Sequence, residues 1–247
     1  SGHISIHEAG AIEFGGHKVL TAHHERGKIS GAEIKRIVST YESDENRDHM
    51  VMPGMVYISQ PTEYGTLYSL NELTEISRVC RAGGLPLYVD GARLAYALAS
   101  PANDVTLADL ARLCDVFYIG GTKCGALFGE AVVIPRKGII PHFFTIIKQH
   151  GALLAKGRLL GLQFDTLFTD GLYEQIGKSA IDYASIIQGI LKQAGCRLYF
   201  ESPTNQIFVV LHDDVKEALA KNVDMGFWEK YDDSHTVVRL ATSWATT

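Results

Sequence analysis

From Lys18 to about Ile134, short apolar runs alternate with segments whose apolar residues recur every three or four positions. This is the rhythm of strands and helices in an α/β sheet with mostly parallel strands. Residues 19–21, 51–52 with 56–59, 85–90, 116–119 and 131–134 read as strands. Ser30 and Glu33 have the spacing at which a hydroxyl and a carboxylate satisfy the free N–H groups of a helix start, and Ile34, Ile37 and Val38 supply one apolar face. The spacing recurs at Ser69 and Glu72, followed by Leu70, Leu73, Ile76 and Cys80 on one face and a stop at Gly83-Gly84. A further helix is predicted over 107–113. After Arg136 the pattern lengthens, with Leu172, Ile176, Ala180, Ala184, Ile187, Leu191 and Ala194 on one continuous helical face. Strands are predicted at 207–211 and 236–240. The expected organisation is a large α/β domain over 1–170 and a smaller α+β domain over 171–247.

Composition narrows the function classes. Of 247 residues, 46% are hydrophobic and 21% charged, the balance of an ordinary globular chain. Twenty-three basic against 28 acidic residues give a net charge of −5, so no general attraction to nucleic acid or anionic membranes is expected. The apolar stretch over 138–147 is broken by Pro141 and His142 and is shorter than the ~20 residues of a membrane span. Four scattered cysteines form no C-x-x-C pair, which suggests neither a zinc site nor a disulfide framework, and a cytoplasmic setting is expected.

Two strand ends carry the candidate chemistry. Asp90 closes an apolar strand and is followed by Gly91-Ala92-Arg93, where α/β sheets commonly place ligands. Some thirty residues on, the next strand runs into Gly120-Gly121-Thr122-Lys123-Cys124-Gly125. Taken singly, the first is also a turn or cap and the second a solvated lysine in a tight turn. Together they offer a Schiff-base lysine and an acid for a pyridinium nitrogen, the minimum equipment for pyridoxal 5′-phosphate (PLP) chemistry. Arg239 lies in the apolar strand Val237-Val238-Arg239-Leu240, where a buried cation needs an anionic partner.

The order His3 … Glu8-Ala9-Gly10-Ala11, Tyr88-Val89-Asp90-Gly91-Ala92-Arg93 and Gly121-Thr122-Lys123-Cys124-Gly125 resembles the threonine aldolase / β-eliminating lyase family over nearly the whole chain. The resemblance implies a fold-type-I PLP-dependent transferase-like fold, with a mostly parallel central sheet, helices on both faces and a smaller C-terminal α+β domain. It makes His3 the ring-stacking histidine, Asp90 the pyridine-nitrogen partner and Lys123 the residue that carries PLP. Arg93 and Arg239 would hold a substrate carboxylate by planar forks. Lys156, beside Gly157 and Arg158, falls near a position that contacts the neighbouring subunit's cofactor phosphate. A homodimer or homotetramer with shared active sites is implied.

Two departures matter. Many threonine aldolases carry a histidine near the substrate hydroxyl where this chain has Glu63, a carboxylate that could take the hydroxyl proton directly or through water. The family also has roughly 70–80 further N-terminal residues with a loop that binds the cofactor phosphate through backbone N–H groups at a helix start. The sequence is therefore expected to be a fragment, a processed chain or an incomplete stretch of such an enzyme. The implied activity is cleavage of a β-hydroxy-α-amino acid, such as L-threonine or L-allo-threonine, to glycine and an aldehyde. The alternatives are PLP-dependent β-elimination and a non-catalytic PLP-fold fragment.

Overall fold

The computed structural model describes residues 2–247. A 3₁₀ turn, His3–Ser5, and a short helix α1 (Ala11–Phe14) precede an extended segment that leads into α2 (Gly31–Ser43). Next come β1 (Val56–Ser59), α3 (Leu70–Ala82), β2 (Leu87–Asp90), α4 (Leu94–Leu98), α5 (Leu107–Leu113), β3 (Val116–Ile119) and β4 (Ala131–Val133). Helices α6 (Phe143–Gln149), α7 (Arg158–Phe168) and the long α8 (Leu172–Gln193) lead to β5 (Arg197–Phe200), β6 (Gln206–His212), α9 (Asp213–Leu219), β7 (Gly226–Lys230) and β8 (His235–Ala241). Among the described residues no helix is long and apolar enough to cross a membrane.

The first sheet has the order β1-β2-β3-β4, parallel except for β4. Strand alternation sends Ile58, Leu87, Val89, Phe117 and Ile119 into one core, shared with Leu73, Ile76 and Cys80 of α3, Leu110 of α5, Leu94 and Ala95 of α4, and Tyr173 and Ala180 of α8. Tyr57, Tyr88 and Tyr118 alternate to the other face and stand side by side, half-buried.

The second sheet, β5-β6-β8-β7, is antiparallel throughout. One of its faces packs Val209, Leu211 and Val238 with Leu191 of α8. The other presents Phe208, Val210 and Val237 with Phe200 and Trp228. Tyr64, from the loop after β1, seats on this second face, 5.0 Å from Trp228 and 6.3 Å from Phe208 between ring centroids.

The predicted helix starts form with one difference. Ser69 and Glu72 make the full reciprocal cap, as do Thr106 and Asp109. Ser30 accepts from the Glu33 N–H, but the Glu33 carboxylate turns instead to the His23 N–H and to Arg36. The predicted strand over 19–21 is absent: its backbone finds no neighbouring edge, and without ladder hydrogen bonds an apolar run stays extended coil. In α8 the buried residues are Tyr173, Gly177, Ala180, Ile181 and Ala184, a stripe rotated from the predicted one. Gly177 sets the rotation, because a Cβ there would lie 2.2 Å from the Ala95 carbonyl oxygen.

The ends of β2 and β3 are joined by backbone contact. The Gly120 N–H donates to the Gly91 carbonyl at 2.9 Å. A Cβ on Gly91 would fall 2.1 Å from the Tyr118 oxygen, and one on Gly120 would fall 2.3 Å from the Ala92 oxygen. Gly120→Ala is expected to destabilise the fold by about 3 kcal/mol or more in urea unfolding, because backbone must move. Gly189→Ala, in α8 with open space at its Cβ, is expected to leave stability unchanged or raise it by up to ~1 kcal/mol.

Candidate active site

Asp90 is the last residue of β2 and is 6% exposed. Its Oδ1 accepts the Ala92 N–H at 2.9 Å and its Oδ2 accepts the Tyr57 hydroxyl. Burial and then the Asp90 charge push the Tyr57 and Tyr118 hydroxyls well above the usual tyrosine range, which keeps them as neutral donors beside the carboxylate. Ser59 pairs with Asp90 in register on β1, and its buried Oγ has no hydrogen-bond partner. Buried polar atoms are nearly always paired, so an orphan hydroxyl next to a buried carboxylate fits a polar ligand at this strand edge.

Lys123 follows β3 on an exposed turn, and its Nζ forms no ion pair or hydrogen bond among the described residues. The backbone of its turn is held firmly. Tyr96 donates to the Lys123 carbonyl and Tyr173 to the Gly120 carbonyl, the latter at 2.9 Å. Glu130 accepts from the Gly121 N–H and, at 2.8 Å, from the Thr122 hydroxyl. Cys124 is fully enclosed, with Sγ 3.9 Å from the Ala92 oxygen, so the lysine turn rests directly on the turn that follows Asp90.

Arg93 caps α4 from the Asp90 turn, whereas Arg239 comes from β8 in the second sheet. Burial lowers the pKa of the Arg239 guanidinium, the Arg93 charge lowers it further and the Glu63 carboxylate opposes them. Three residues far apart in sequence thus share one electrostatic environment. Arg239 Nη1 donates to Gln206 Oε1 at 3.3 Å and its guanidinium lies 5.9 Å from the Trp228 ring centroid. Glu63 is placed by the Gln60–Thr66 loop, which the second sheet's leading segment anchors. Thr204 donates to the Gly65 carbonyl at 2.9 Å, and Gln206 donates to the Thr62 carbonyl at 3.5 Å.

His3 sits in the N-terminal 3₁₀ turn with Nδ1 2.8 Å from Glu8 Oε1. The neighbouring Gly2 lies against Tyr57, since a Cβ there would be 3.5 Å from that ring. The turn is therefore next to the Asp90 edge. Lys156 stands in an exposed turn before α7, and no side-chain hydrogen bond or ion pair among the described residues links it to the other candidates. Sequence reasoning passed over Ser59, Tyr96, Glu130, Tyr173 and Gln206. Tyr96, three residues after Arg93 on the helix the D-G-A-R turn opens, carried the one local signal.

Three parallel strands and an antiparallel fourth, with the reactive turns at neighbouring C-terminal ends and an antiparallel sheet beyond a long helix, define a fold-type-I transferase-like α/β architecture. A family model described as beta-eliminating lyase matches residues 1–241, and the chain belongs to that family. It is 33% identical over 224 residues to low-specificity L-threonine aldolases of Pseudomonas sp. and Pseudomonas aeruginosa. That match covers 88% of this chain and 62% of each relative, so the chain spans under two thirds of their length. A solved threonine aldolase of Leishmania major is 47% identical with a TM-score of 0.94, covering all of this chain and 71% of that one. An Exiguobacterium structure at 17% identity and TM-score 0.72 shares the fold over 98% of this chain and 67% of its own.

Burial raises the thiols of Cys80 and Cys124 to about 11 and that of Cys114 to about 12, while Cys196 is only half-buried. At pH 8 the native protein is expected to alkylate at Cys196 alone among the four, with the other three labelled only after unfolding, as read by mass spectrometry with and without urea.

Proposed function

We propose that this chain carries the site of a PLP-dependent lyase that cleaves the Cα–Cβ bond of a small β-hydroxy-α-amino acid to glycine and an aldehyde. The observation that carries this reading is the shared environment of Arg93, Arg239 and Glu63 beside the Asp90 and Lys123 turns. A carboxylate ligand would relieve the charge that Arg93 imposes on the half-buried Arg239 guanidinium. The donor set fits the cofactor: Asp90 would hold a protonated pyridine nitrogen, Lys123 would carry PLP, Ser59 would give it a hydroxyl contact and His3 would lie on its ring. When bound, PLP supplies an electron sink for the pair released by bond cleavage.

The chain's own residues do the rest. Arg93 from the first sheet and Arg239 from the second would grip the α-carboxylate as planar forks, fixing which bond at Cα lies across the sheet edge. Gln206 holds Arg239 in place and is tied to the Glu63 loop. Glu63 would accept the β-hydroxyl proton, directly or through one water, as aldol cleavage requires. The His3 imidazole, oriented by Glu8, would lie beside the Asp90 edge.

A division into a large unit over 1–170 and a small unit over 171–247 would put the two arginines on different units. Lys156, exposed ahead of α7, would serve a phosphate in a neighbouring protomer, which makes a homodimer or homotetramer the expected assembly.

A β-elimination reading is favoured only by Glu63 standing where many aldolases have histidine. Product analysis separates the two: glycine and acetaldehyde from threonine support aldol cleavage, whereas pyruvate and ammonia from serine overturn it. Lys123→Ala is expected to abolish an absorbance band near ~420 nm on adding PLP and to lower turnover at least ~10³-fold; a persisting band removes Lys123 from its role. Arg239→Gln is expected to raise KM for the amino acid roughly 10- to 100-fold, the loss of a charge-assisted hydrogen bond, with the cofactor band retained.

A further inference from the structure

We propose that Tyr96 and Tyr173 are positioning residues that set the Lys123 amine against the Asp90 carboxylate. The proposal rests on the cofactor reading of Lys123 and assigns it a support that neither the D-G-A-R turn nor the lysine turn contains. Tyr96 is 1% exposed and Tyr173 2% exposed, and both spend their hydroxyls on backbone carbonyls that bracket the lysine turn. Tyr173 donates to Gly120, the first residue after β3, and Tyr96 donates to Lys123 itself. Neither carbonyl accepts a main-chain N–H among the described residues. The two hydroxyls are therefore what satisfies the turn at these points, and they come from two different helices.

Each tyrosine also leads back to a different part of the site. Tyr96 lies on α4, whose cap is Arg93 and whose entry is the Asp90 turn. Its hydrogen bond makes a further tie between the β2 and β3 ends, beyond the Gly120-to-Gly91 backbone bond and the Cys124 contact with Ala92. Tyr173 opens α8, which crosses α4 at Gly177 and ends against the sheet that bears Arg239. Burial holds both hydroxyls above the usual tyrosine range, so they stay neutral donors across working pH. The flanking Cys124, fully enclosed between these elements, leaves the turn no room to slide. A lysine on a turn clamped at two carbonyls reaches the same point each time it reacts, a pre-organisation that accelerates bond formation without touching the reactants.

The test removes single oxygens and reads the lysine directly. Tyr96→Phe and Tyr173→Phe, mixed with PLP, are expected to develop the ~420 nm band at least ~10-fold more slowly than the unaltered protein, with KM for the amino acid little changed. Leu73→Ala, a core truncation in α3 remote from the turn, serves as a destabilised control. If the tyrosine variants form the band at the unaltered rate, or slow no more than a Leu73→Ala protein of equal urea stability, the positioning role is overturned. If either variant fails to fold, the other, on a separate helix, carries the same test. A band that is missing from the unaltered protein or that survives Lys123→Ala overturns the cofactor reading and this proposal with it; normal behaviour of the Phe variants alone overturns only the clamp.

Discussion

The contact on which the site depends is the backbone meeting of Gly91 and Gly120. Parallel strands lie about 4.8 Å apart, and here the two chains stay joined past their last ladder pairs by one N–H···O bond. No side chain fits on either glycine, so the Asp90 turn and the lysine turn are mortised together. The turn that follows Asp90 and the turn that carries Lys123 thereby become neighbours. Sheet twist alone would let those two turns diverge.

A second constraint couples the two sheets. The segment from Ser202 to Gln206 is mostly polar and largely buried, a costly placement that its hydrogen bonds offset at all but Asn205 Oδ1, which is buried without a partner. Its side chains bond to Gly65, Thr62 and Thr242, and Ser100 donates to the Pro203 carbonyl. The Glu63 loop and the Arg239 strand are consequently fixed to each other as well as to the first sheet. Tyr64 on Trp228 and Phe208 adds apolar area to the same seam. Electrostatic proximity among Arg93, Arg239 and Glu63 follows from this seam, with no direct ion pair among them.

Much of the first sheet was legible in the chain because each element announced itself locally. The Ser69/Glu72 cap, the Leu70-to-Cys80 face and the Gly83-Gly84 stop define α3 without tertiary help. The strand over 19–21 was misread for a physical reason: an apolar run becomes a strand only where a partner edge accepts its backbone. β5 and β7 were missed for the converse reason, since short edge segments with no fully buried residue carry little hydrophobic signal and form strands only because β6 and β8 present ladders. The stripe of α8 was shifted by Gly177, which no hydrophobicity pattern counts as buried.

What the sequence determined by itself was the chemistry on offer: a strand-end acid, a glycine-flanked lysine and an arginine within an apolar strand, each set by residue type and local spacing. The tertiary structure alone decided which of them lie near one another. It brought Arg239 from the second sheet into the field of Arg93 and Glu63 and placed the His3 turn beside the Asp90 edge, whereas Lys156 makes no hydrogen bond or ion pair with the other candidates among the described residues. It also recruited Tyr96 and Tyr173, whose hydroxyls meet the lysine turn only after helices α4 and α8 cross. Long-range contacts of this kind are written by packing and by the need to pair buried polar groups, and neither leaves a periodic trace along the chain.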